Sequence, residues 1–263
     1  MEVIKSFILG LVQGLTEFLP VSSSGHIEIF KEIMNFSFES HNGLFFTLTL
    51  HLATALSALI YFWNDVKKII LSICMLKRDE NLHFSLMILI SMIPAGFVGF
   101  FYEDKINELF NGNLLLVGSM LILTSILLFI SDKINKLNKK LSPLNSLLIG
   151  ISQALAILPG ISRSGSTIAT SIFLGINRDL AAKFSFLMVI PVIVGSSIKM
   201  ILFDDIVFDN TILINYIIGF ITALVSGYYA CKWMIFFVKK SKLVYFSLYC
   251  LIVGLVSIIY SIL

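Results

Sequence analysis

Long apolar stretches, separated by short polar ones, run along most of the chain. A membrane-spanning helix needs about 20 mostly apolar residues, and several stretches approach or reach that length. They are Leu44–Trp63, Phe84–Phe101, Leu114–Ile130, Lys183–Phe203, Thr211–Cys231 and Leu243–Leu263. The pattern therefore predicts an all-α polytopic membrane protein.

Two shorter apolar segments precede each group of three spans. In the first half they are Val3–Thr16 and a segment from Ser22 to about Asn35. In the second half they are Pro143–Leu158 and Ser162–Ile176. Each pair surrounds a turn rich in proline, serine and glycine. Since non-helical backbone at membrane depth is tolerated only where protein or a wet cavity covers it, each pair is predicted to be a re-entrant helical hairpin.

The two halves also repeat at residue level. Five residues recur 140 positions later: Gly10, Gln13, Ser22, Ser24 and Gly25 match Gly150, Gln153, Ser162, Ser164 and Gly165. We therefore divide one membrane domain, 1–263, into repeat A (1–131) and repeat B (143–263). In this register Ser23 matches Arg163 and Glu17 matches Ile157, so the repeats are predicted to share a scaffold and to differ in chemistry.

The charges of the loops predict how the spans are oriented. The basic loops are 64–83, 131–143 and 232–242, and the acidic ones are 102–113 and 204–210. The positive-inside rule places the basic loops in the cytoplasm. Span 44–63 then runs inward, and its repeat partner 181–203 runs outward. The sequence thus predicts an inverted-topology repeat, with a site near the midplane where the halves meet.

The composition is typical of a membrane protein, and the distribution of charge indicates which kind of partner is not expected. Hydrophobic residues make up 57% of the chain and charged residues 13%, against about 25% charged in soluble domains. The net charge is only +3, and the lysines are spread over separate loops, so nucleic acid is not an expected partner. The three cysteines lack metal-ligand spacing and are interpreted as packing residues.

The first polar stretch lies in the first hairpin. Its residues are Gln13, Glu17, Ser22, Ser23, Ser24, Gly25 and His26. Polar groups in apolar surroundings are unfavourable unless paired, which makes them functional candidates. Gln13 and Glu17 are four residues apart and share a helix face. Glu17 is predicted to be a general acid or base, or an oxygen ligand of a divalent cation, rather than an exposed acid at a helix end.

The serines and His26 allow more than one chemistry. One hydroxyl among Ser22–Ser24 is expected to cap the next helix, and Gly25 to let another backbone approach closely. His26 lies three residues after Ser23, so the two could be base and nucleophile, or His26 could itself accept a phosphoryl group. Separately, His51 lies within a predicted span and could reach the site, but the favoured interpretation is a buried, hydrogen-bonded histidine.

The second polar stretch follows Pro159 and Gly160. Its residues are Ser162, Arg163, Ser164, Gly165, Ser166 and Thr167. A guanidinium offers forked donors that suit phosphate oxygens, and backbone N–H groups at a helix start bind anions. The alternative is an arginine that pairs with an acid or snorkels. We expect the two stretches to meet and form one anion site.

With these residues in hand, the chain resembles the bacterial undecaprenyl-diphosphate phosphatase family, also called bacitracin-resistance proteins. The family's first motif, Glu/Gln-x-x-x-Glu followed by F-L-P-[VI]-S-S-[ST]-G-H, corresponds to Gln13–His26. Its second motif, P-G-x-S-R-S-G-x-T, corresponds to Pro159–Thr167. The resemblance covers nearly the whole chain.

That resemblance implies an enzyme of the bacterial inner membrane that removes the terminal phosphate of undecaprenyl diphosphate. The site would open to the outer face and use a divalent cation, Mg²⁺ or Ca²⁺. The family's acid, serine, histidine and arginine correspond to Glu17, Ser23, His26 and Arg163. Many members have Glu where this chain has Gln13, so weaker metal binding, or a larger share for Glu17 and the diphosphate, is expected.

The resemblance leaves several alternatives open. The favoured hypothesis is Ser23 as nucleophile with His26 as its base, while His26 or water could also attack. Broken helices and a midplane arginine would equally suit a transporter or flippase of a polyprenyl phosphate, although a carrier has no use for an acid, serine and histidine set. The expected partners are the polyprenyl diphosphate and membrane lipids, and a homodimer is left open.

Overall fold

The computed structural model describes residues 2–34, 40–109, 112–135, 137–203 and 213–262. These residues form twelve helices: α1 (Glu2–Phe18), α2 (Ser23–Ile33), α3 (Ser40–Tyr61), α4 (Trp63–Cys74), α5 (Glu80–Phe101), α6 (Glu103–Glu108), α7 (Leu114–Asp132), α8 (Pro143–Leu155), α9 (Arg163–Phe173), α10 (Arg178–Phe203), α11 (Leu213–Lys239) and α12 (Leu243–Ile262). Within these ranges there is no strand, only an isolated bridge between Lys139 and Ile176. The all-α prediction is confirmed.

Five helices are long and apolar enough to cross a membrane: α5, α7, α10, α11 and α12. A sixth span arises if the bent pair of α3 and α4 is counted as one. The protein is therefore a multi-pass membrane protein, as predicted.

Two predicted loops contain helices. The loop 64–83 holds most of α4, and the loop 102–113 holds α6. Both segments are too polar to span a membrane, so a search for long apolar runs passes over them. The predicted acidic loop 204–210 and the expected end of the second helix at Asn35 lie outside the described residues.

Each predicted hairpin is a pair of short helices with a serine cap at the turn. The Ser22 side chain caps α2 by accepting a hydrogen bond from the Gly25 N–H at 3.2 Å. Ser162 caps α9 in the same way, from the Gly165 N–H at 3.0 Å. The predicted capping role of one serine among Ser22–Ser24 is thus confirmed.

Glycines let the hairpins pack closely on long helices. A Cβ added to Gly10 of α1 would lie 2.5 Å from the carbonyl oxygen of Gly219 in α11. A Cβ on Gly150 of α8 would lie 2.3 Å from that of Ser91 in α5. Since real Cβ atoms do not approach so closely, both contacts require glycine. They fix the first arm of each hairpin against a spanning helix.

Replacing Gly150 by alanine is expected to destabilise the fold by about 1–3 kcal/mol, because the new methyl group overlaps the backbone of Ser91. The matched control is Gly195→Ala in α10, where a Cβ meets nothing within 4 Å. Alanine there is expected to be neutral or to stabilise the helix by up to about 1 kcal/mol. Thermal unfolding of both variants in detergent measures this, and equal midpoints would contradict the expectation.

Aromatic packing fixes the end of α1. Phe18 is fully buried and meets Phe186 of α10 edge-on, with ring centroids 5.2 Å apart. The contact lies beside Glu17 in sequence on one side and Ser185 on the other. The core therefore holds the carboxylate-bearing end of α1 against the helix that follows the second hairpin.

Candidate active site

The two hairpin turns contact each other reciprocally. The Ser22 hydroxyl donates to the carbonyl oxygen of Ile161 at 3.4 Å, and the Ser164 hydroxyl donates to that of Leu19 at 3.1 Å. A Cβ on Gly25 would lie 3.1 Å from the Cα of Gly160, so the backbones also approach closely. The prediction that the two polar stretches meet is confirmed.

Glu17 is the centre of this junction. Its side chain is buried, and Oε1 accepts a hydrogen bond from Nη2 of Arg163. Oε2 accepts one from the Ser23 hydroxyl at 2.7 Å and one from Nε2 of Gln13 at 2.9 Å. An unpaired buried carboxylate would be strongly unfavourable, and this one is fully paired. The ion pair between Glu17 and Arg163 also joins the two halves of the chain.

Arg163 contacts α10 as well as Glu17. Its Nη1 donates to the carbonyl oxygen of Ser185 at 3.4 Å. The Thr167 hydroxyl donates to the Arg163 carbonyl at 2.9 Å and lies 2.6 Å from the Ser185 hydroxyl. A guanidinium carries five N–H donors, and these contacts use only some of them. Arg163 is thus held in place while keeping donors for an anion.

The start of α9 provides fewer backbone donors than expected. The Gly165 N–H is taken by the Ser162 side chain, and the Ser166 N–H donates to the Ser162 carbonyl at 2.8 Å. The N–H groups of Gly165 and Ser166 are therefore not available to an anion, although the helix start was predicted to bind one. Among the described residues, the N–H groups of Arg163 and Ser164 come before the first intrahelical hydrogen bonds of α9. They are therefore the backbone donors available to an anion.

His26 pairs with Tyr249 instead of Ser23. Its Nδ1 lies 2.8 Å from the Ser22 carbonyl oxygen, which can only accept, so Nδ1 carries the proton. Nε2 then accepts from the Tyr249 hydroxyl at 2.7 Å, and the two rings are nearly parallel. The hydroxyl of Ser23 is directed to Glu17. The structure therefore brings Ser23 to a carboxylate and His26 to a tyrosine of α12.

His51 reaches the site, which was the less favoured of the two interpretations. Its Nδ1 lies 3.0 Å from Nε2 of Gln13 and 3.5 Å from Oε2 of Glu17. The Gln13 amide group therefore donates to both neighbours. Through it, His51 helps to fix the orientation of the Glu17 carboxylate.

Known proteins resemble this chain in sequence. The family model described as Bacitracin resistance protein BacA matches residues 6–256, which is nearly the whole chain.

The chain belongs to the BacA family.

Curated relatives agree with this membership. A protein of Christiangramia forsetii is 48% identical over 261 residues, covering 99% of each chain. A protein of Bacteroides fragilis is 47% identical over 266 residues, again covering 99% of each. One from Halothermothrix orenii is 40% identical over 265 residues, with 98% of each covered. All three carry the name undecaprenyl-diphosphatase. The family resemblance drawn from the two motifs is confirmed.

Within the part of the chain that the structure describes, the junction leaves one buried oxygen without a partner, of the kind that a divalent cation prefers. Oε1 of Gln13 is buried, and no hydrogen-bond partner for it is found among the described residues. Hard cations prefer oxygen donors, and Mg²⁺ is commonly held by one or two carboxylates together with substrate phosphates. Gln13 Oε1 and Glu17 form such a partial set. Across the described ranges no cluster of three His, Cys, Asp or Glu residues could hold a metal by itself.

A cavity of about 710 Å³ lies elsewhere in this BacA protein. Arg178, Lys183 and Lys239 are among its lining residues, and none of the predicted site residues is. Each of these cations has a carboxylate nearby: Asp132, Asp65 and Asp179 respectively. Because the charges are already compensated, this cavity is a poor site for a diphosphate.

Three contributors escaped the sequence-based prediction. Besides Tyr249 and Ser185, Thr124 of α7 holds the second turn: its hydroxyl accepts from the Ser162 N–H at 3.1 Å and donates to the Gly160 carbonyl at 3.3 Å. A threonine, a serine and a tyrosine in apolar helices are common and carry no signal by themselves. Only the folded chain shows that they face the motifs.

Proposed function

We propose that this chain hydrolyses undecaprenyl diphosphate to undecaprenyl phosphate and inorganic phosphate. The names of the BacA relatives give the substrate and reaction. The junction gives the chemistry: an arginine and a serine hydroxyl, both partly buried, meet at one buried carboxylate. This arrangement is the observation on which the proposal rests, because it combines anion binding with an activated nucleophile.

Arg163 binds the terminal phosphoryl group in this mechanism. Phosphoryl transfer needs mainly positioning and stabilisation of charge on the equatorial oxygens. The guanidinium and the N–H groups of Arg163 and Ser164 supply donors for those oxygens. Ser162 and Thr167 hold the helix start in place through their own hydrogen bonds. Gly165 and Ser166 give the turn its tight packing, so they shape the phosphate site.

Ser23 is the proposed nucleophile and Glu17 its base. The hydrogen bond from Ser23 to Oε2 of Glu17 provides a direct path for the proton. Attack forms an Oγ–phosphorus bond and breaks the anhydride bond, so undecaprenyl phosphate leaves and a phosphoserine stays. Water then cleaves the phosphoserine and releases inorganic phosphate. The geometry favours Glu17 over His26 as the group that takes this proton.

Gln13 and Glu17 would hold the divalent cation, Mg²⁺ or Ca²⁺. When bound, such an ion neutralises charge on the leaving phosphate. The buried acceptor Oε1 of Gln13 supports this assignment. Ser22, Ser24 and Gly25 keep the first turn against the second, so the proposed ion ligands and Arg163 stay on the same junction.

Tyr249 is the proposed positioning residue for His26. Tyr249→Phe removes the hydroxyl that fixes Nε2. His26 bonds the Ser22 carbonyl, next to the proposed nucleophile, so we expect the geometry of proton transfer from Ser23 to Glu17 to be disturbed and kcat to fall about tenfold or more, with little change in KM. The ¹⁵N chemical shifts of His26 should report a changed state of the ring. Tyr245→Phe, one turn earlier on α12, is the control and should retain full activity. An unchanged kcat in Tyr249→Phe would exclude this role.

We also propose that the two halves form an inverted repeat and that the site opens on one side of the membrane. A repeat of two matching halves is supported by the matched caps Ser22 and Ser162 and by the matched packing glycines Gly10 and Gly150. The basic loops support the opposite orientation of the two halves, and the family resemblance is the ground for proposing that the site opens towards the outer face of the bacterial inner membrane. The lipid substrate and surrounding lipids are the proposed partners, and a homodimer stays a prediction.

Phosphate release from undecaprenyl diphosphate by the purified protein in detergent tests the function. Release is expected with Mg²⁺ or Ca²⁺ and should be strongly reduced by a chelator. The bond from Ser23 to Glu17 favours hydrolysis over transport, because a carrier needs anion donors but no activated hydroxyl. A folded protein that releases no phosphate with either cation, yet moves polyprenyl phosphate across vesicles, would overturn the proposal.

A further inference from the structure

A sharp bend separates α3 from α4. The two helices meet at Phe62 at an angle of 84°. If α3 crosses the membrane, α4 must run along its surface. The sequence of α4 agrees, since Asn64, Asp65, Lys67 and Lys68 make it too polar for the hydrocarbon core.

The outward face of α4 is apolar. Trp63, Ile70 and Ile73 are spaced to share one side of the helix, and they are 51%, 49% and 44% exposed. The neighbouring side packs on the protein: Ser72 is buried and Ile69 is half-buried. Val66, which lies between Ile70 and Ile73 around the helix, is half-buried. An amphipathic helix with tryptophan on its apolar face is typical of helices that lie in the membrane interface.

Cations without carboxylate partners flank that face. Lys67, Lys68, Lys77 and Arg78 are all exposed. Within the described part of the chain, none of the four has an acidic side chain at ion-pair distance. The nearby acids are engaged elsewhere: Asp65 pairs with Lys183 of α10 at 2.6 Å, and Asp79 caps α5. A cluster of positive charge is thus left beside an exposed apolar face.

Both ends of α4 are anchored, which fixes the face that it presents. The ion pair between Asp65 and Lys183 ties its first turn to α10. At its other end the Ser72 hydroxyl donates to the Asp79 carboxylate. The helix therefore cannot roll its apolar side inward without breaking these contacts.

We propose that α4 and the segment up to Arg78 form a surface that binds anionic phospholipids. The apolar face enters the acyl region, and Lys67, Lys68, Lys77 and Arg78 contact the negatively charged headgroups. Juxtamembrane basic clusters attract anionic lipids in this way, and charge complementarity selects them over zwitterionic lipids. This surface is independent of the proposed hydrolysis, and its test does not use activity.

Tryptophan quenching by brominated lipids tests the surface. The chain has two tryptophans, so Trp233→Phe leaves Trp63 as the only one. The protein is reconstituted in vesicles with brominated phosphatidylglycerol or brominated phosphatidylcholine at equal mole fraction. We expect quenching of Trp63 by both lipids, about twofold or more stronger with phosphatidylglycerol. Replacing Lys67, Lys68, Lys77 and Arg78 by glutamine should remove the difference but keep the quenching.

A matched variant controls for total charge. It replaces Lys139, Lys140, Lys240 and Lys242 by glutamine in the same background and should keep the preference for phosphatidylglycerol. Equal quenching by the two lipids in the parent, or a preference that survives removal of the four α4-side charges, would overturn the proposal. So would an absence of quenching by either lipid, since protein, such as a second copy of the chain, would then cover the face. Elution of each variant as a single species confirms folding.

Discussion

Arg163→Lys is expected to lower the rate of phosphate release by about 10³-fold, although the positive charge is kept. Lysine offers a single ammonium in place of a planar fork, so it cannot bond Glu17 and Ser185 as the guanidinium does while donating to a phosphoryl group. The loss should appear mainly in kcat, because the charge on the phosphoryl oxygens is stabilised most strongly in the transition state. Steady-state phosphate release with undecaprenyl diphosphate measures it.

Arg78→Lys is the control for this substitution, since Arg78 is exposed and lies outside the site. It should hydrolyse the substrate at the parent rate. Replacement of Arg163 by lysine, rather than alanine, avoids leaving Glu17 buried beside no cation. If Arg163→Lys retained a rate within about threefold of the parent, the proposal that Arg163 stabilises charge in the transition state would be wrong.

Glu17→Gln is expected to reduce kcat by about 10²- to 10⁴-fold, the range that general-base catalysis contributes. The amide keeps the shape of the side chain but cannot take the proton of Ser23, and it loses the charge that pairs with Arg163. Divalent cations should also activate the variant less, because one anionic oxygen donor is removed. Phosphate release as a function of Mg²⁺ concentration separates the two effects.

Glu28→Gln provides the matched comparison. Glu28 is also a buried carboxylate of the first hairpin, but it pairs with Lys31 and not with the junction. It should retain the cation dependence and most of the rate. If both glutamine variants lost activity equally, the effect would reflect damage to the hairpin instead of the chemistry of Glu17.

Local features of the site could be predicted because their causes are local. Gln13 and Glu17 are four residues apart, and this spacing alone brings their side chains to one helix face, where they bond at 2.9 Å. The cap among Ser22–Ser24 could be predicted because serine follows a turn there, and its repeat partner Ser162 has the same role. The meeting of the two motifs could be inferred from the repeat, since copies of one scaffold place matching turns at the same depth.

Other parts could not be predicted because their causes are distant in sequence. Tyr249 is separated from His26 by 223 positions and lies in an apolar helix with no unusual pattern. The bond from Ser23 to Glu17, in place of His26, depends on how the turn at Pro20 folds back over α1. Helix α4 was missed for a different reason. Its charged residues interrupt the apolar run, so the segment was predicted to be a loop although its helical period is regular.

The ion pair between Glu17 and Arg163 has a consequence for how the protein is made. A ribosome that has finished the first hairpin has still to synthesise Arg163, 146 positions later. Until then the carboxylate has no cation from the second half, and placing it at membrane depth would cost several kcal/mol. We therefore expect the first hairpin to reach its final position only after the second is inserted. The proposed active site would then be completed late in biogenesis, and we expect a partly inserted chain to have no hydrolase activity.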